Sequence, residues 1–391
     1  MKKKVSNFFE KNKWELDQLM FLLILILMFL SFYLGSAAFI LYTLFLCIQN
    51  RKHLRTIIKK NFLFYIFVLY SLAVGIYNQT LSGMTVPLVY AFGFFFFYFY
   101  LQQIKAKTYY LSLKVIALAI IPLTVMCLYT YLNYALGHGY GPWYIFKYAN
   151  IQTRAEATFF NANYYGMYCL MALVTNLYIM KKESNHKWLL LGSGAIGAVL
   201  ISIILTASRM LLPTLVIVLI WMLAWLQPRW VKYIIGLALV GGMVLTLKPG
   251  LIPRMETLTY AFQDRFNLWA VGLAIFLSRP LFGRGAMAFV NFYYLYSDYA
   301  QMHAHNLYIN TLANYGVLGA TLILVLLKPL WHHLITLFKD KSLRPEFALI
   351  SAYILIVLVH GTMDVAIFWV QTAYIVLIVI LVSKEELEKL K

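Results

Sequence analysis

Residues 188–226 read WLLLGSGAIGAVLISIILTASRMLLPTLVIVLIWMLAWL, and this stretch decides the class of fold. It consists of two apolar blocks, and each is long enough for a helix that crosses a bilayer. The break between them, TASRM at residues 206–210, is too short for an ordinary loop. We therefore predict two neighbouring membrane helices joined by a tight turn that carries Ser208 and Arg209.

Apolar blocks of this kind follow one another along the whole chain of 391 residues, of which 62% are hydrophobic. No water-soluble fold needs so many apolar side chains. The pattern predicts an all-α multi-pass membrane protein with about twelve transmembrane helices and a single polytopic domain over residues 1–391. It leaves open whether residues 15–49 form one span or two. The predicted spans are 15–32, 34–49, 61–77, 84–101, 111–134, 162–180, 188–206, 210–226, 233–247, 305–327, 347–363 and 366–382.

The basic residues set the predicted orientation. The net charge of +19 resembles that of a nucleic-acid binder, but alternate loops of the predicted topology collect roughly three quarters of the 33 Lys and Arg residues on one side. The positive-inside rule makes that side cytoplasmic. We therefore predict a protein of the cytoplasmic (plasma) membrane with both termini inside, whose partner is the lipid bilayer and not nucleic acid.

The few basic residues on the predicted outer side differ in kind from the inner ones. Six of the eight are arginine, whereas the inner side contains only four arginines. Guanidinium grips phosphate or carboxylate with two parallel hydrogen bonds, which ammonium cannot do. This suggests an outward-facing anion site at the membrane border; the alternative is that these side chains cap helices or snorkel to lipid headgroups. They are Lys147, Arg154, Arg209, Lys248, Arg254, Arg265, Arg279 and Arg284.

A long outer loop lies between predicted spans nine and ten. It covers residues 248–304 and is too long for a mere connector, so we interpret it as an extracytoplasmic cap. Its apolar segment 268–277 is too short to span and should lie along the membrane interface. Arg265 would stand at the start of this segment.

Several polar residues lie where an outer loop meets a predicted helix. Asn161 and Asn163 are expected at the N-cap after Arg154, and Asn306 is expected to cap the tenth span. Free backbone N–H groups and the positive end of the helix dipole also suit an anion there. His305 would stand beside the arginines in reach of water, where an imidazole can take or give a proton near neutral pH; otherwise it only caps a helix.

Two further pairs are suggestive. Gly316 and Gly319 would let another helix pack closely. His360 and Asp364 are four residues apart, hence on one helical face, and could orient a catalytic group or form a buried polar contact between helices.

Taken in order, these stretches resemble the O-antigen ligase/polymerase superfamily, the lipopolysaccharide ligases and Wzy-type polymerases of bacterial envelopes. The family carries His followed by Asn, Ser or Gln, nine residues, and Gly-x-x-Gly, Thr or Tyr, and here His305-Asn306 precede Leu307 to Tyr315 and Gly316-Val-Leu-Gly319. The segment DRFNLWAVGLAIFLSRPLFGRG looks like the family's Arg-x-x-x-Trp block ending in Pro-x-x-Gly-x-Gly. Its matching residues are Arg265, Trp269, Pro280, Gly283 and Gly285.

Two more motifs are similar, and the resemblance covers roughly residues 150–330. Ser208–Arg209 is similar to the family's Ser-Arg motif. RAEATFFNAN looks like its Arg-x-x-Gly-x-Phe-x-Asn-Pro-Asn motif, except that Ala157 replaces the Gly and Ala162 the Pro. These departures put the backbone shape of that loop, and the role of Arg154, in question.

The resemblance implies a GT-C-like helical fold and a glycosyltransferase that acts outside the cytoplasmic membrane. The donor would be an undecaprenyl-diphosphate-linked oligosaccharide, and no metal or other cofactor would be required. The outer acidic residues look dispersed, without a DxD or His/Asp cluster, and this agrees with a reaction that needs no metal. They are Glu156, Glu256, Asp264, Asp298 and Asp364.

Each candidate residue then receives a role. Arg209 and Arg265 would clamp the donor diphosphate, and His305 would accept the proton of the attacking hydroxyl, so that the transfer inverts the anomeric carbon. These three are the predicted catalytic residues. The predicted substrate-binding residues are Arg154, Arg284, His303, Asn306, Asn161 and Asn163.

Alternatives remain at this stage. The preferred function is polymerisation of capsular, exopolysaccharide or O-antigen repeats, in which a second lipid-linked repeat is the acceptor. A ligase would transfer the same donor to a different acceptor, and a flippase would only move it across the membrane. A chain-length regulator and the flippase of the same pathway are candidate partners. A non-enzymatic scaffold is the remaining alternative.

Overall fold

The computed structural model describes residues 2–147, 153–183, 185–298 and 301–391. These ranges contain 18 α-helices, short 3₁₀ turns and no β-strand. The helices are α1 (Lys2–Leu30), α2 (Phe32–Gln49), α3 (Leu54–Lys60), α4 (Phe62–Tyr77), α5 (Leu81–Gln103), α6 (Ala106–Leu118), α7 (Ile120–Gly137), α8 (Ala162–Lys182), α9 (His186–Thr206), α10 (Leu211–Leu226), α11 (Val231–Leu247), α12 (Leu258–Leu277), α13 (Ala288–Phe292), α14 (Leu307–Leu326), α15 (Lys328–Lys339), α16 (Arg344–His360), α17 (Val370–Ile380) and α18 (Lys384–Glu388).

The prediction of an all-α multi-pass membrane protein is confirmed. In the described ranges, seven helical stretches are long and apolar enough to cross a membrane, and eight if the pair α3 and α4, bent by 87°, counts as one. Every predicted span overlaps a helix, but the number twelve stays a prediction. Ser31, in an extended conformation, separates α1 from α2, so residues 15–49 form two helices. The seven stretches are Phe32–Gln49, Leu81–Gln103, Ala106–Gly137, His186–Thr206, Pro228–Leu247, Leu307–Lys339 and Lys341–His360.

Helix α8 is the central helix of the bundle. It packs against α6, α9, α10 and α16, and nearly all its residues are buried. Its polar side chains are satisfied internally: the Thr175 hydroxyl lies 2.7 Å from Tyr353 Oη, and Asn176 Nδ2 donates to the Ala117 carbonyl. Because a buried polar group without a partner is costly, these bonds fix the neighbours of α8. Its 21 residues span about 30 Å, roughly the thickness of the hydrocarbon core.

The two ends of α8 differ in charge chemistry. At its C-terminal end, Lys182 pairs with Glu346 at 2.6 Å and Lys114 with Glu183 at 2.6 Å. Asn163 lies at its N-terminal end beside Arg154. The predicted cytoplasmic end of α8 therefore carries ion pairs, whereas the opposite end contributes to the candidate site. Which side of the membrane each end faces stays a prediction.

The predicted interfacial segment belongs to a longer helix. Helix α12 starts at Leu258 and has 20 residues, so Arg265 lies within the helix and not at its start. The apolar segment 268–277 is the second half of this helix, because hydropathy marks only the apolar half of a helix whose other half is polar. Its place along the membrane interface stays a prediction. Residues 248–304 also contain α13 and further 3₁₀ turns.

The glycine motif at 316–319 breaks a helix. Gly316 has φ 59° and ψ −171°, a conformation available essentially to glycine alone, and it kinks α14. The Pro280–Gly285 loop docks there, with Gly285 N donating to the Asn314 carbonyl at 2.8 Å and Val317 N to the Pro280 carbonyl at 2.9 Å. The expectation that Gly316 serves close helix packing was therefore wrong: the two glycine motifs form one backbone-paired unit.

We expect Gly316→Ala to lower the free energy of unfolding by roughly 2–3 kcal/mol, since an alanine there is strained and crowded. Its Cβ would collide with the Leu281 carbonyl and lie 2.6 Å from Gly283 N. Thermal unfolding in detergent measures this. Gly241→Ala, at a helix position with open space, is the control and should be neutral or slightly stabilising. An equally stable Gly316→Ala would contradict the kink.

Candidate functional site

A pocket of about 210 Å³ opens at the N-terminal end of α8. Its walls come from four places: the loop before α8, the α9–α10 turn, residues 254–268, and the entrance to α14. Four arginines and one histidine share it. The lining residues are Arg154, Asn163, Ala207, Ser208, Arg209, Met210, Arg254, Leu258, Ala261, Phe262, Asp264, Arg265, Leu268, Gln301 and His305.

Arg154 is held by the start of α8. Asn161 is the N-cap and accepts a hydrogen bond from Asn163 N, as predicted. Arg154 donates from its terminal nitrogen to Asn163 Oδ1 at 2.9 Å and from Nε to the Thr206 carbonyl at 2.8 Å. Ser208 Oγ donates to the same Asn163 oxygen at 2.9 Å. One asparagine thus ties Arg154 to the Ser208–Arg209 turn.

The two departures from the family motif leave this loop intact. Ala157 has φ 48°, a left-handed conformation that a glycine would adopt without strain. Ala162 is the first residue of α8, where proline is favoured but alanine is also a good helix former. The chain therefore keeps the loop conformation at the cost of strain at Ala157.

Ala157→Gly should raise the free energy of unfolding by roughly 0.5–1 kcal/mol, because relief of the left-handed strain exceeds the added entropy of the unfolded chain. Ala37→Gly, at an exposed position inside α2, should instead destabilise by a similar amount. Denaturation in detergent compares them. If Ala157→Gly is as damaging as Ala37→Gly, the strain at residue 157 is refuted.

Arg209 lies in the tight turn predicted between two spans. Ala207, with φ 47°, ends α9, and α10 begins at Leu211. One terminal nitrogen of Arg209 donates to the Arg254 carbonyl at 2.9 Å and to Thr257 Oγ1 at 3.2 Å. The remaining N–H donors are left for a ligand.

Arg265 and Trp269 lie on one face of α12, four residues apart. A terminal nitrogen of Arg265 donates to the Met363 carbonyl, and Trp269 Nε1 donates to the His305 carbonyl at 3.4 Å. The Arg-x-x-x-Trp motif therefore fixes α12 against both segments that carry a histidine–aspartate pair.

That pair is His305 and Asp364. His305 Nδ1 lies 3.3 Å from Asp364 Oδ2, and Asp364 is 2% exposed. Asn163 Nδ2 and Val365 N also donate to this carboxylate, at 2.5 and 2.7 Å. Burial raises the pKa of Asp364, but the hydrogen bond and charge of His305 outweigh it and hold the pKa below its usual range. The carboxylate is therefore ionised at neutral pH.

His305 is positioned by its backbone as well. It has φ 50°, and the Asn306 side chain accepts from Tyr308 N and Ile309 N, the N-cap that was predicted. The expectation for His360 and Asp364 needs correction: α16 ends at His360, and Asp364 follows in a turn and faces His305. Helical spacing did not apply beyond the end of the helix.

His303 stands next to His305 and does not line the pocket. Their rings meet edge to face at 4.3 Å, and His303 Nδ1 accepts from His305 N at 3.3 Å. Tyr164 Oη lies 3.4 Å from His303 Nε2. Burial, and then the neighbouring His305, lower the pKa of His303 to about 4, so it is neutral at physiological pH. It is placed to position His305.

A His/Asp cluster therefore exists, contrary to the expectation of dispersed outer acids. His303, His305 and Asp364 offer ligand atoms within 4.8 Å of one another, a spacing that suits a divalent ion. The same atoms are engaged with each other, with Asn163 and with backbone N–H groups. The sequence did not reveal the cluster because its two histidines precede α14, whereas Asp364 follows α16.

Besides His303, three predicted substrate-binding residues do not line the pocket: Arg284, Asn161 and Asn306. Arg284 Nε donates to Ser278 Oγ at 3.0 Å, and its guanidinium lies over the Phe292 ring at 4.8 Å. Asn161 and Asn306 serve as helix caps, and Asn306 Nδ2 also donates to the Thr362 carbonyl at 3.0 Å.

Charge distinguishes this pocket from an ordinary polar cleft. In the part of the chain that the structure describes, no carboxylate is at salt-bridge distance from its four guanidinium groups. Burial, followed by the charge of Arg254, lowers the pKa of Arg154 and of Arg209 to about 10 in each case. The arginines stay charged at neutral pH, and their four guanidinium groups outnumber the Asp264 carboxylate in the pocket lining, so the charge of the pocket favours an anionic ligand.

Arg254 and Ser208 were not among the predicted site residues, although both line the pocket. Ser208 belongs to the Ser-Arg motif, and that motif could have identified it as a site residue. Arg254 lay in no motif, and only its place among the outer arginines pointed to it.

Comparison with known families gives one match. Residues 189–324 match the family model of the O-antigen ligases. The matched region runs from α9 to α14, so it contains Arg209, Arg265 and His305 but neither Arg154 nor Asp364. No curated protein matches the chain. Residues 189–324 are thus similar to the O-antigen ligases, which confirms the resemblance to the O-antigen ligase/polymerase superfamily over that part of the chain.

Proposed function

We propose that this integral membrane protein is a polysaccharide polymerase that joins undecaprenyl-diphosphate-linked oligosaccharide repeats on the outer face of the cytoplasmic membrane, within a GT-C-like fold. The family match supports glycan transfer of the ligase or polymerase type in general. The observation that carries the proposal is a pocket with four arginines and no paired carboxylate among the described residues, beside a His–Asp pair.

The pocket suits the diphosphate of the donor. Arg209 and Arg265 each spend one terminal nitrogen on a backbone carbonyl, which fixes the guanidinium plane and leaves further donors for phosphate oxygens. As the bond between the anomeric carbon and the phosphate oxygen breaks, the leaving lipid diphosphate takes the electron pair. Preorganised guanidinium groups stabilise that growing charge, a task that other transferases give to a divalent cation.

His305 supplies the base. Its Nδ1 is directed to the Asp364 carboxylate, which leaves Nε2 to accept the proton of the acceptor hydroxyl. The hydroxyl oxygen forms the new bond to the anomeric carbon from the face opposite the diphosphate, so a single displacement inverts the configuration. The buried carboxylate then stabilises the imidazolium that results.

A ligase would use the same groups with a different acceptor, and the deciding experiment is a transfer assay. The purified protein, in detergent and excess EDTA, receives the lipid-linked repeat alone. We expect a ladder of longer lipid-linked products, because neither a metal nor a second membrane compartment is needed. No product until a separate lipid acceptor is supplied would mean a ligase. Loss of activity that only a divalent ion restores would refute the metal-free mechanism, and inactivity with every acceptor would favour a flippase.

A further inference from the structure

Five aromatic rings form a cluster that reaches His303, the neighbour of His305, through Tyr164 and contributes no residue to the lining of the arginine pocket. Phe32 stacks on Trp369 at 4.7 Å, Tyr164 stacks on Trp369 at 5.6 Å, and Phe160 meets Trp369 edge to face at 6.1 Å. Tyr33 meets Phe160 at 5.9 Å. We call these residues the aromatic shelf: Phe32, Tyr33, Phe160, Tyr164 and Trp369.

The shelf belongs to the same end of the bundle as the site. Thr158 Oγ1 donates to the Phe29 carbonyl, and Gln371 Nε2 donates to the Met28 carbonyl. The first bond ties the end of α1 to the loop that carries Arg154, and the second ties it to α17. Tyr164 completes the link to the acid–base pair, since its hydroxyl lies 3.4 Å from His303 Nε2.

Two members of the shelf keep more than half of their surface exposed despite their ring contacts. Tyr33 is 69% exposed and Phe160 is 54% exposed. Phe160 also has φ 57°, an outlier for a bulky residue. Strain of this kind persists only where surrounding contacts impose it, and it clusters at functional sites. A strained backbone that presents a largely exposed ring gains little from burial, which points to a ligand.

Resting on the proposed function, we infer that the aromatic shelf is the subsite for the sugar rings of the acceptor glycan. His305 separates the shelf from the arginine pocket, because it lines the pocket while its neighbour His303 contacts the shelf. An acceptor hydroxyl must attack from the face opposite the leaving diphosphate, so the acceptor belongs on this side of His305. The C–H face of a pyranose ring carries partial positive charge that suits the negative face of an aromatic ring.

The test measures binding without turnover. The probe is the lipid-free repeat oligosaccharide, released from its lipid diphosphate by mild acid, and the full chain is titrated with it in detergent. Tyr33→Leu and Phe160→Leu keep an apolar side chain but remove the flat ring. We expect each to raise the Kd by about three- to tenfold, the range that aromatic stacking covers. Tyr129→Leu, at a tyrosine 70% exposed outside the shelf, is the control and should leave the Kd unchanged.

The remaining readouts separate the inference from the proposed function. In transfer assays with the oligosaccharide as acceptor, the shelf variants should raise its KM with little change in kcat and with normal unfolding temperatures. Three results would each overturn the subsite. The shelf variants could keep the Kd and KM of the unaltered protein, Tyr129→Leu could weaken binding as much as they do, or the unaltered protein could fail to bind the oligosaccharide. Binding that depends on the shelf in a protein that transfers no glycan would leave the subsite standing and refute the polymerase.

Discussion

His305→Asn should lower the rate of glycan transfer by about 10²–10⁴-fold, the contribution of a positioned general base. Asparagine is the chosen replacement because it tolerates the left-handed backbone at residue 305, where φ is 50°. It can still hydrogen-bond to Asp364, but it cannot accept a proton. The loss should therefore fall on kcat, measured as initial rate at saturating lipid-linked repeat, and not on folding.

Two comparisons sharpen this result. Asp364→Asn keeps the shape of the side chain but removes the charge that orients and stabilises the imidazole, so its activity should lie between those of His305→Asn and the unaltered protein. His138→Asn changes an exposed histidine on the same predicted side and should leave the rate unchanged. If His305→Asn keeps more than about a tenth of the rate, the imidazole is not the base.

The parts of the site that the sequence predicts are those that depend on local chemistry. Asn161 and Asn306 cap α8 and α14 because an asparagine before an apolar block offers its side-chain oxygen to the first free N–H groups. Charge counting placed Arg209 and Arg265 at one end of the bundle, and both side chains line one pocket there. Composition and apolar block length were likewise sufficient for the all-α membrane class.

The missed features depend on contacts between distant segments. Asp364 reaches His305 only because the chain leaves helical geometry after His360. Gly316 adopts its kink because a loop more than thirty residues earlier pairs with the backbone there, whereas a Gly-x-x-Gly pattern alone equally fits close helix packing. Arg254 enters the pocket through an irregular segment with φ 64°, for which no periodic pattern exists. Tertiary contacts decide all three.

Arg209→Ala and Arg265→Ala should each lower kcat by about 10²–10³-fold, or roughly 3–4 kcal/mol of transition-state stabilisation, the loss typical of one preorganised donor. Lysine at either position should restore only a small part, because ammonium keeps the charge but cannot form two parallel hydrogen bonds to phosphate. Rates are measured with the lipid-linked repeat. Arg279→Ala is the matched control: Arg279 is exposed, lies over the Tyr77 ring at 5.1 Å and does not line the pocket.

The double variant tests whether the two arginines hold one anion. If Arg209 and Arg265 grip the same diphosphate, loss of either one misplaces the ligand for the other, and the double variant should lose less than the product of the two single losses. Independent sites would give multiplicative losses. If lysine restored the full rate of transfer, positive charge alone would be sufficient. A normal rate in Arg265→Ala would show that Arg265 does not hold the diphosphate. Both guanidinium groups are half-buried, line one pocket and have no carboxylate at salt-bridge distance among the described residues. A diphosphate held between them would contact both, so coupling between the two substitutions is the expected outcome.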